Sequence, residues 1–194
     1  MSRSGSAKKL ISRFSADTKQ VRETDMSKQR PEKRHLSLPA ATTGDAQVIL
    51  YLYELRRERA MREARHFISA DFWPESAEDV LRLARSYPSR ENTWLRQVTS
   101  YWEMAASLVL RGALHEELFF DCSGEMYCVF AKFKPYLADI RKKLPYFLLN
   151  VEAAAVRNPE GRARLQRLEA RLARRQQKLA QRRAAVAETS DGYT

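Results

Sequence analysis

No stretch of this sequence approaches the run of about 18 apolar residues that a membrane-spanning helix needs. Residues 1–22 carry no apolar block of the kind a secretory leader has. Their Ser- and Arg-rich composition, with Asp17 as the one acid, resembles an organelle-targeting peptide but reads more simply as a disordered basic arm. Six glycines and seven prolines are too few for a turn-dense β protein, and clear period-two alternation is absent, which leaves an all-α fold. Only two cysteines occur, Cys122 and Cys128. Six residues apart they lie about 240° apart around a helix, so no bond joins them there. Without a CxxC or a second Cys/His pair for zinc, they are expected to be buried free thiols in a reducing cytoplasm. Glycine-rich phosphate loops, a GxSxG elbow, a Cys–His nucleophile pair and HExxH are all missing. With three histidines in 194 residues, an enzyme is the least favoured class and no cofactor is expected.

What is present is charge, unevenly placed. The net +11 arises at the two ends. Residues 1–44 hold ten Lys/Arg against four Asp/Glu, residues 45–159 hold sixteen of each sign, and residues 160–188 hold nine against three. A neutral core with basic appendages differs from a folded nucleic-acid reader, whose positive patch usually sits on the fold itself. Basic ends of this kind attract phosphates, acidic proteins or anionic membrane surfaces.

Periodicity divides the chain into a disordered basic arm (1–44, with a short helix at most from Ala7 to Phe14), a helical core (45–158), a basic amphipathic or coiled-coil-like helix (159–188) and a disordered tail (189–194). In the core, Asp45 is placed to cap one long helix over 46–70, whose stripe is Leu50, Tyr53, Ala60, Met61, Ala64 and Phe67, with Arg57, Arg59 and Arg62 left to solvent. Pro74 ends it. Ser76 starts a short helix with Glu78 and Asp79 in its first turn, and Pro88 stops that one. Ser89 caps a third helix running to Arg111, with Gly112 just beyond its end and Trp94, Val98, Tyr101, Trp102, Ala105, Leu108 and Val109 as its apolar stripe. A fourth starts near His115 with the seam Leu118, Cys122, Met126, Val129, Phe133, Leu137, Ile140 and Leu144, interrupted at Gly124 and Pro135. A last short helix covers about 146–156, and Asn158-Pro159 marks the end of the core.

Beyond it, Leu165, Leu168, Leu172 and Leu179 keep heptad spacing, while Arg175 and Arg182 fall where leucines should recur. A helix of about 28 residues is ~42 Å long. This one reads as exposed or as a weak coiled coil. The four leucines are the candidates for self-association. Lys8, Lys9 and Arg13 in the arm, with Arg162, Arg164, Arg167, Arg171, Arg174, Arg175, Arg182 and Arg183 in the helix, are the candidates for nucleic-acid contacts.

Three constellations bear on chemistry. Glu63 and His66 form an E-x-x-H pair on one helical face, but a di-metal carboxylate site needs two such pairs and the core holds one, so a solvated pair is the simpler reading. Glu103, Glu116, Glu117, Asp121 and Glu125 cluster around Gly112, where ion pairing, with Arg96 and Arg111 at hand, outweighs a cation site. Phe119, Tyr127 and Phe130 fall off the fourth-helix stripe and are expected to pack against the first helix rather than to form an exposed patch.

The segments LYELRRE (52–58), REARHFI (62–68), VTSYWEMAASLVLRGALHEELFFD (98–121) and VFAKFKPYLADIRK (129–142) resemble an uncharacterised bacterial family of small all-helical proteins, a domain of unknown function. The resemblance spans about residues 49–151. It implies a helical core with those boundaries in a bacterial cytoplasmic protein, and no activity, cofactor or catalytic residue. The sequence alone therefore points to a small helical bundle acting as a non-enzymatic interaction or scaffolding module for an unidentified protein partner, able to self-associate. Non-specific nucleic-acid association through the basic ends comes second, and a metal- or ligand-binding helical enzyme third.

Overall fold

Thr42 opens the folded chain. Its hydroxyl accepts from the Asp45 backbone N–H at 3.1 Å while the Asp45 carboxylate accepts from the Thr42 N–H at 2.8 Å. This reciprocal box starts helix α1, Thr43–Arg57, so Asp45 stands at the third helical position rather than at the cap. Its other oxygen accepts from the His115 N–H at 2.8 Å, tying the start of α1 to a distant loop. The hydroxyl and N–H of Thr42, with the N–H of His115, hold its carboxyl down to about 2. The computed structural model describes residues 40–191, with side chains through Arg182. Lys8, Lys9, Arg13, the Ala7–Phe14 helix and the arm up to residue 39 lie outside the described residues.

The single helix expected over 46–70 is broken. Glu58 takes ψ 143°, and the chain restarts as α2, Arg59–His66, followed by a π-helical turn, Phe67–Asp71. The break resets the helical phase. Leu50 and Tyr53, placed on the buried stripe by a continuous register, are 65% and 56% exposed, and Leu52 is buried in their place. Ala60 is exposed as well, whereas Met61, Ala64 and Ile68 are buried.

Helix α3, Ala77–Arg85, starts with a Ser76/Asp79 capping box. Helix α4, Arg90–Leu110, is capped by the Ser89 hydroxyl; a cis Tyr87–Pro88 bond lies in the turn between them. Gly112 closes α4 at φ +71°, a left-handed conformation that suits glycine. The interruptions at Gly124 and Pro135 are real: α5 is Glu116–Cys122, α6 is Gly124–Phe133, a 3₁₀ turn covers Lys134–Tyr136, and α7 is Leu137–Arg141. Because α5 and α6 are separate, the seam does not continue through Cys122. Phe119 and Phe120 carry the burial in α5, and Cys122 and Cys128 are free and exposed. The expectation of buried thiols is corrected by that change of phase.

Helix α8, Leu149–Ala155, follows Leu148 at φ +54°. Arg141 pins this turn by donating to the Phe147 and Leu148 carbonyls and pairing with Glu152 at 2.6 Å. Asn158 and Pro159 form the cap and first residue of α9, Pro159–Asp191, with the Asn158 side chain accepting from the Gly161 N–H at 2.7 Å.

Among the described residues all regular structure is helical, and no strand occurs. Helix α4 is the spine of the bundle. It packs on α2, the π-turn, α3 and α8, while α6 packs between α8 and α9. Val98, Trp102, Ala105, Ala106, Phe130, Phe133, Ile140 and Val151 form its buried centre. Phe119, Tyr127 and Phe130 are buried too, so they belong to the core and not to an exposed patch.

Candidate functional site

Helix α9 begins as part of the core. Leu165 is 2% exposed, and Leu168 and Leu172 pack against the buried cluster. Four polar contacts fasten the same half. The Arg164 guanidinium lies 4.9 Å from the Tyr127 ring and donates to the Phe120 carbonyl. Glu169 pairs with Lys134 at 2.5 Å. The Gln176 amide donates to the Pro74 carbonyl at 2.8 Å and to the Tyr136 hydroxyl at 3.0 Å. Arg175 stands over the Trp73 indole, 4.6 Å from its centre. Three of the four candidate self-association leucines are therefore engaged within the chain, and Leu179 remains half-buried.

At 100° per residue, Arg167, Arg171, Arg174, Arg175, Lys178 and Arg182 fall within an arc of about 100° and along ~22 Å of helix. All six are exposed, and among the described residues none is in an ion pair. Glu169 points away from the stripe, to Lys134. Arg162 lies outside the arc and donates to the Val156 carbonyl. The side chain of Arg183 is outside the described residues.

The stripe borders a buried cation. Lys132 is 8% exposed on α6. Its ammonium donates to the carbonyls of Ile68 and Phe72 (2.8 Å to the latter) at the end of the π-turn and sits 3.9 Å from the centre of the Trp73 ring. Burial, aided by the neighbouring Arg175 charge, pushes it down to about 8. Trp73 thus carries two cations, one buried and one at the surface. Nearby, Glu125 is gripped by Arg65 and Arg56, each at 2.5 Å. Burial pushes its carboxyl upward, but the two guanidinium groups outweigh that and hold it below its ordinary value.

The acidic cluster around Gly112 is dispersed by the fold. Glu125 takes Arg56 and Arg65, Glu116 takes Arg157 at 2.7 Å, and Glu103 accepts from the Asn150 and Val151 N–H groups, capping α8. Arg96 and Arg111, the partners expected from sequence, are not the ones used. Glu63 pairs with Arg59 and Arg90, and His66 lies 3.7 Å from Asp71 instead. Among the described residues no group of three or more His, Cys, Asp or Glu could hold a metal ion.

Sequence reasoning placed the cations of α9 but missed Trp73 and Lys132. The signal was the run Val129-Phe130-Ala131-Lys132-Phe133, a lone lysine in a turn whose other residues are apolar.

These features define an all-helical domain with no assembled catalytic centre among its described residues and a cationic helix face. The chain belongs to the family DUF4760, a domain of unknown function, which matches residues 41–158. The match stops at the residue before α9, so the cationic face lies outside the family's common domain. No curated protein and no solved structure matches the chain. No helix among the described residues is long and apolar enough to cross a membrane.

Proposed function

We propose that this protein is a non-enzymatic binding module of the bacterial cytoplasm that holds nucleic acid along the exposed face of α9. The observation carrying this reading is the acid-free stripe Arg167, Arg171, Arg174, Arg175, Lys178 and Arg182, held rigid because the opposite face of the same helix is packed on the core. One strand of duplex DNA presents a phosphate about every 3.4 Å, so ~22 Å of helix spans roughly six of them. Nothing on the stripe reads base edges, so binding is insensitive to sequence and driven by counterion release. The test is fluorescence anisotropy of labelled duplex DNA with the full chain across a salt series. Replacing Arg167, Arg171, Arg174 and Arg175 by Gln lowers the magnitude of the log–log salt slope by about 3 to 4 and weakens binding. An unchanged slope would move the contacts to residues 1–44 and defeat this reading.

A second reading has its own observation. Leu50, Tyr51 and Tyr53 on α1 are 65%, 65% and 56% exposed, an apolar strip suited to self-association or to an unidentified protein partner. With Leu165, Leu168 and Leu172 engaged in the core, this strip replaces α9 as the candidate surface. Light scattering on Tyr53→Asp decides it: a drop in mass supports the strip, and an unchanged dimer mass removes it.

A further inference from the structure

Between the π-turn, α6 and α9 lies a hollow of about 180 Å³. Ile68, Val98, Val129, Leu168 and Leu172 wall it with hydrocarbon. Its mouth is cationic: Arg65, Lys132, Arg171 and Arg175 line it beside the Trp73 indole. These four cations are not equivalent. Arg65 is committed to Glu125, and Lys132 to two carbonyls and the Trp73 face. Arg171 and Arg175 have no carboxylate partner among the described residues and stand on a helix whose other side is anchored. Glu125, the one acid at the mouth, already accepts from Arg56 and Arg65.

An apolar chamber under two uncommitted guanidinium groups selects for a molecule with two ends. The chamber is closed to charge, because burying an unpaired ion against hydrocarbon is costly. The mouth favours an anion, and carboxylates suit guanidinium forks in particular. Size sets the rest. An engineered apolar cavity of about 150 Å³ accepts one benzene molecule, so this hollow takes a body of roughly six to eight heavy atoms. We propose that this hollow is a binding site for a small monocarboxylate with a compact apolar body, of benzoate size, its ring between Val129 and Leu172 and its carboxylate on Arg171 and Arg175. The inference is independent of nucleic-acid binding, because the hollow is too small for a polymer and its test contains none.

The probes are benzoate, benzyl alcohol (the same ring without the charge) and acetate (the same head without the ring). Each is titrated calorimetrically into the full chain at moderate salt. Benzoate saturates at one per chain with a Kd on the order of 0.1–1 mM, as expected for a ligand of nine heavy atoms. Benzyl alcohol and acetate each bind about tenfold more weakly or worse. Arg171→Gln together with Arg175→Gln weakens benzoate about tenfold and leaves benzyl alcohol unchanged. Both side chains are exposed, so the variant keeps its fold, which its melting curve verifies. Benzoate and acetate binding alike would reduce the mouth to surface charge. Benzoate and benzyl alcohol binding alike would leave an apolar void without selectivity. Absence of saturable heat from benzoate would show that the hollow is no binding site. Each of these three results overturns the proposal.

Discussion

Helices α4 and α9 are the two longest described, and they are held by opposite means. Helix α4 buries eight of its 21 residues, among them Val98, Trp102, Ala105 and Val109, and meets neighbours along its whole length. Among the described side chains of α9 only Gly161 and Leu165 are buried, and polar contacts at Arg164, Glu169 and Gln176 supply the rest. A helix surrounded by apolar partners fixes the fold. A helix seated along one edge keeps most of its surface for something else. The difference predicts a gradient in the cost of single truncations. Trp102→Ala on α4 empties a site that is 2% exposed and costs about 3–5 kcal/mol. Leu165→Ala on α9 costs about 2–3 kcal/mol, and half-buried Leu179→Ala under about 1. Urea unfolding of the three variants measures this. A Leu179 cost equal to that of Leu165 would mean the two stretches of α9 are seated alike.

The seat of α9 turns on a single backbone approach. A Cβ at Gly161 would come within 2.7 Å of the Ala155 carbonyl oxygen and 2.9 Å of the Tyr127 hydroxyl. The first cannot swing aside, because it is main chain at the end of α8. Gly161→Ala therefore costs about 1–3 kcal/mol through overpacking and loosens the start of α9 without touching α4. Limited trypsin treatment separates the effects. In the wild type Arg164 is bound to the Phe120 carbonyl and lies in ordered helix, and cutting there is slow. The variant is cut faster at Arg162, Arg164 and Arg167, at rates unchanged for Arg96 and Arg111. Equal acceleration in both helices would make the seat global rather than local.

The same pair of helices shows what a sequence carries and what it withholds. Helix α4 was legible because its caps, Ser89 and Gly112, and its apolar stripe agree on one register, with no alternative partner for so wide a face. For α9, leucines at 165, 168 and 172 give the same periodic signal whether the surface they meet belongs to the same chain or to another. Periodicity names a face and not its occupant. The segment 46–70 misled for a different reason. It contains no glycine or proline, yet its helix breaks at Glu58, because the tertiary fit of Met61, Ala64 and Ile68 overrides good local propensity. At the candidate site, the arginines of the stripe could be counted from the sequence. Trp73 and Lys132 could not be joined, since the contact spans 59 positions and depends on a π-turn that no local pattern announces.

The smallest expected effect is a pH dependence that separates the groups of the two helices. Lys132, beside α9, has its folded value lowered to about 8 from the 10.5 of a free lysine, by burial first and by Arg175 second. Between those values the folded chain has released a proton that the unfolded chain keeps, so stability rises with pH across that window. Tyr101 on α4 is pushed by burial the other way, from 10.0 to about 12. There the unfolded chain gives up its proton first, so stability falls as pH climbs from about 10 towards 12. The wild type should gain on the order of 1–2 kcal/mol from about pH 8 to 10 and lose it again above. Lys132→Met strands the Ile68 and Phe72 carbonyls and so lowers stability at every pH, which makes the absolute value uninformative. Its slope is the informative quantity. Urea midpoints across this range should lose their rising limb in Lys132→Met and their falling limb in Tyr101→Phe. A rising limb that survives in Lys132→Met would show that the two carbonyls and the Trp73 face fully compensate the buried ammonium. Lys132 would then be a neutral clasp between the π-turn and α6, without the electrostatic cost assigned to it.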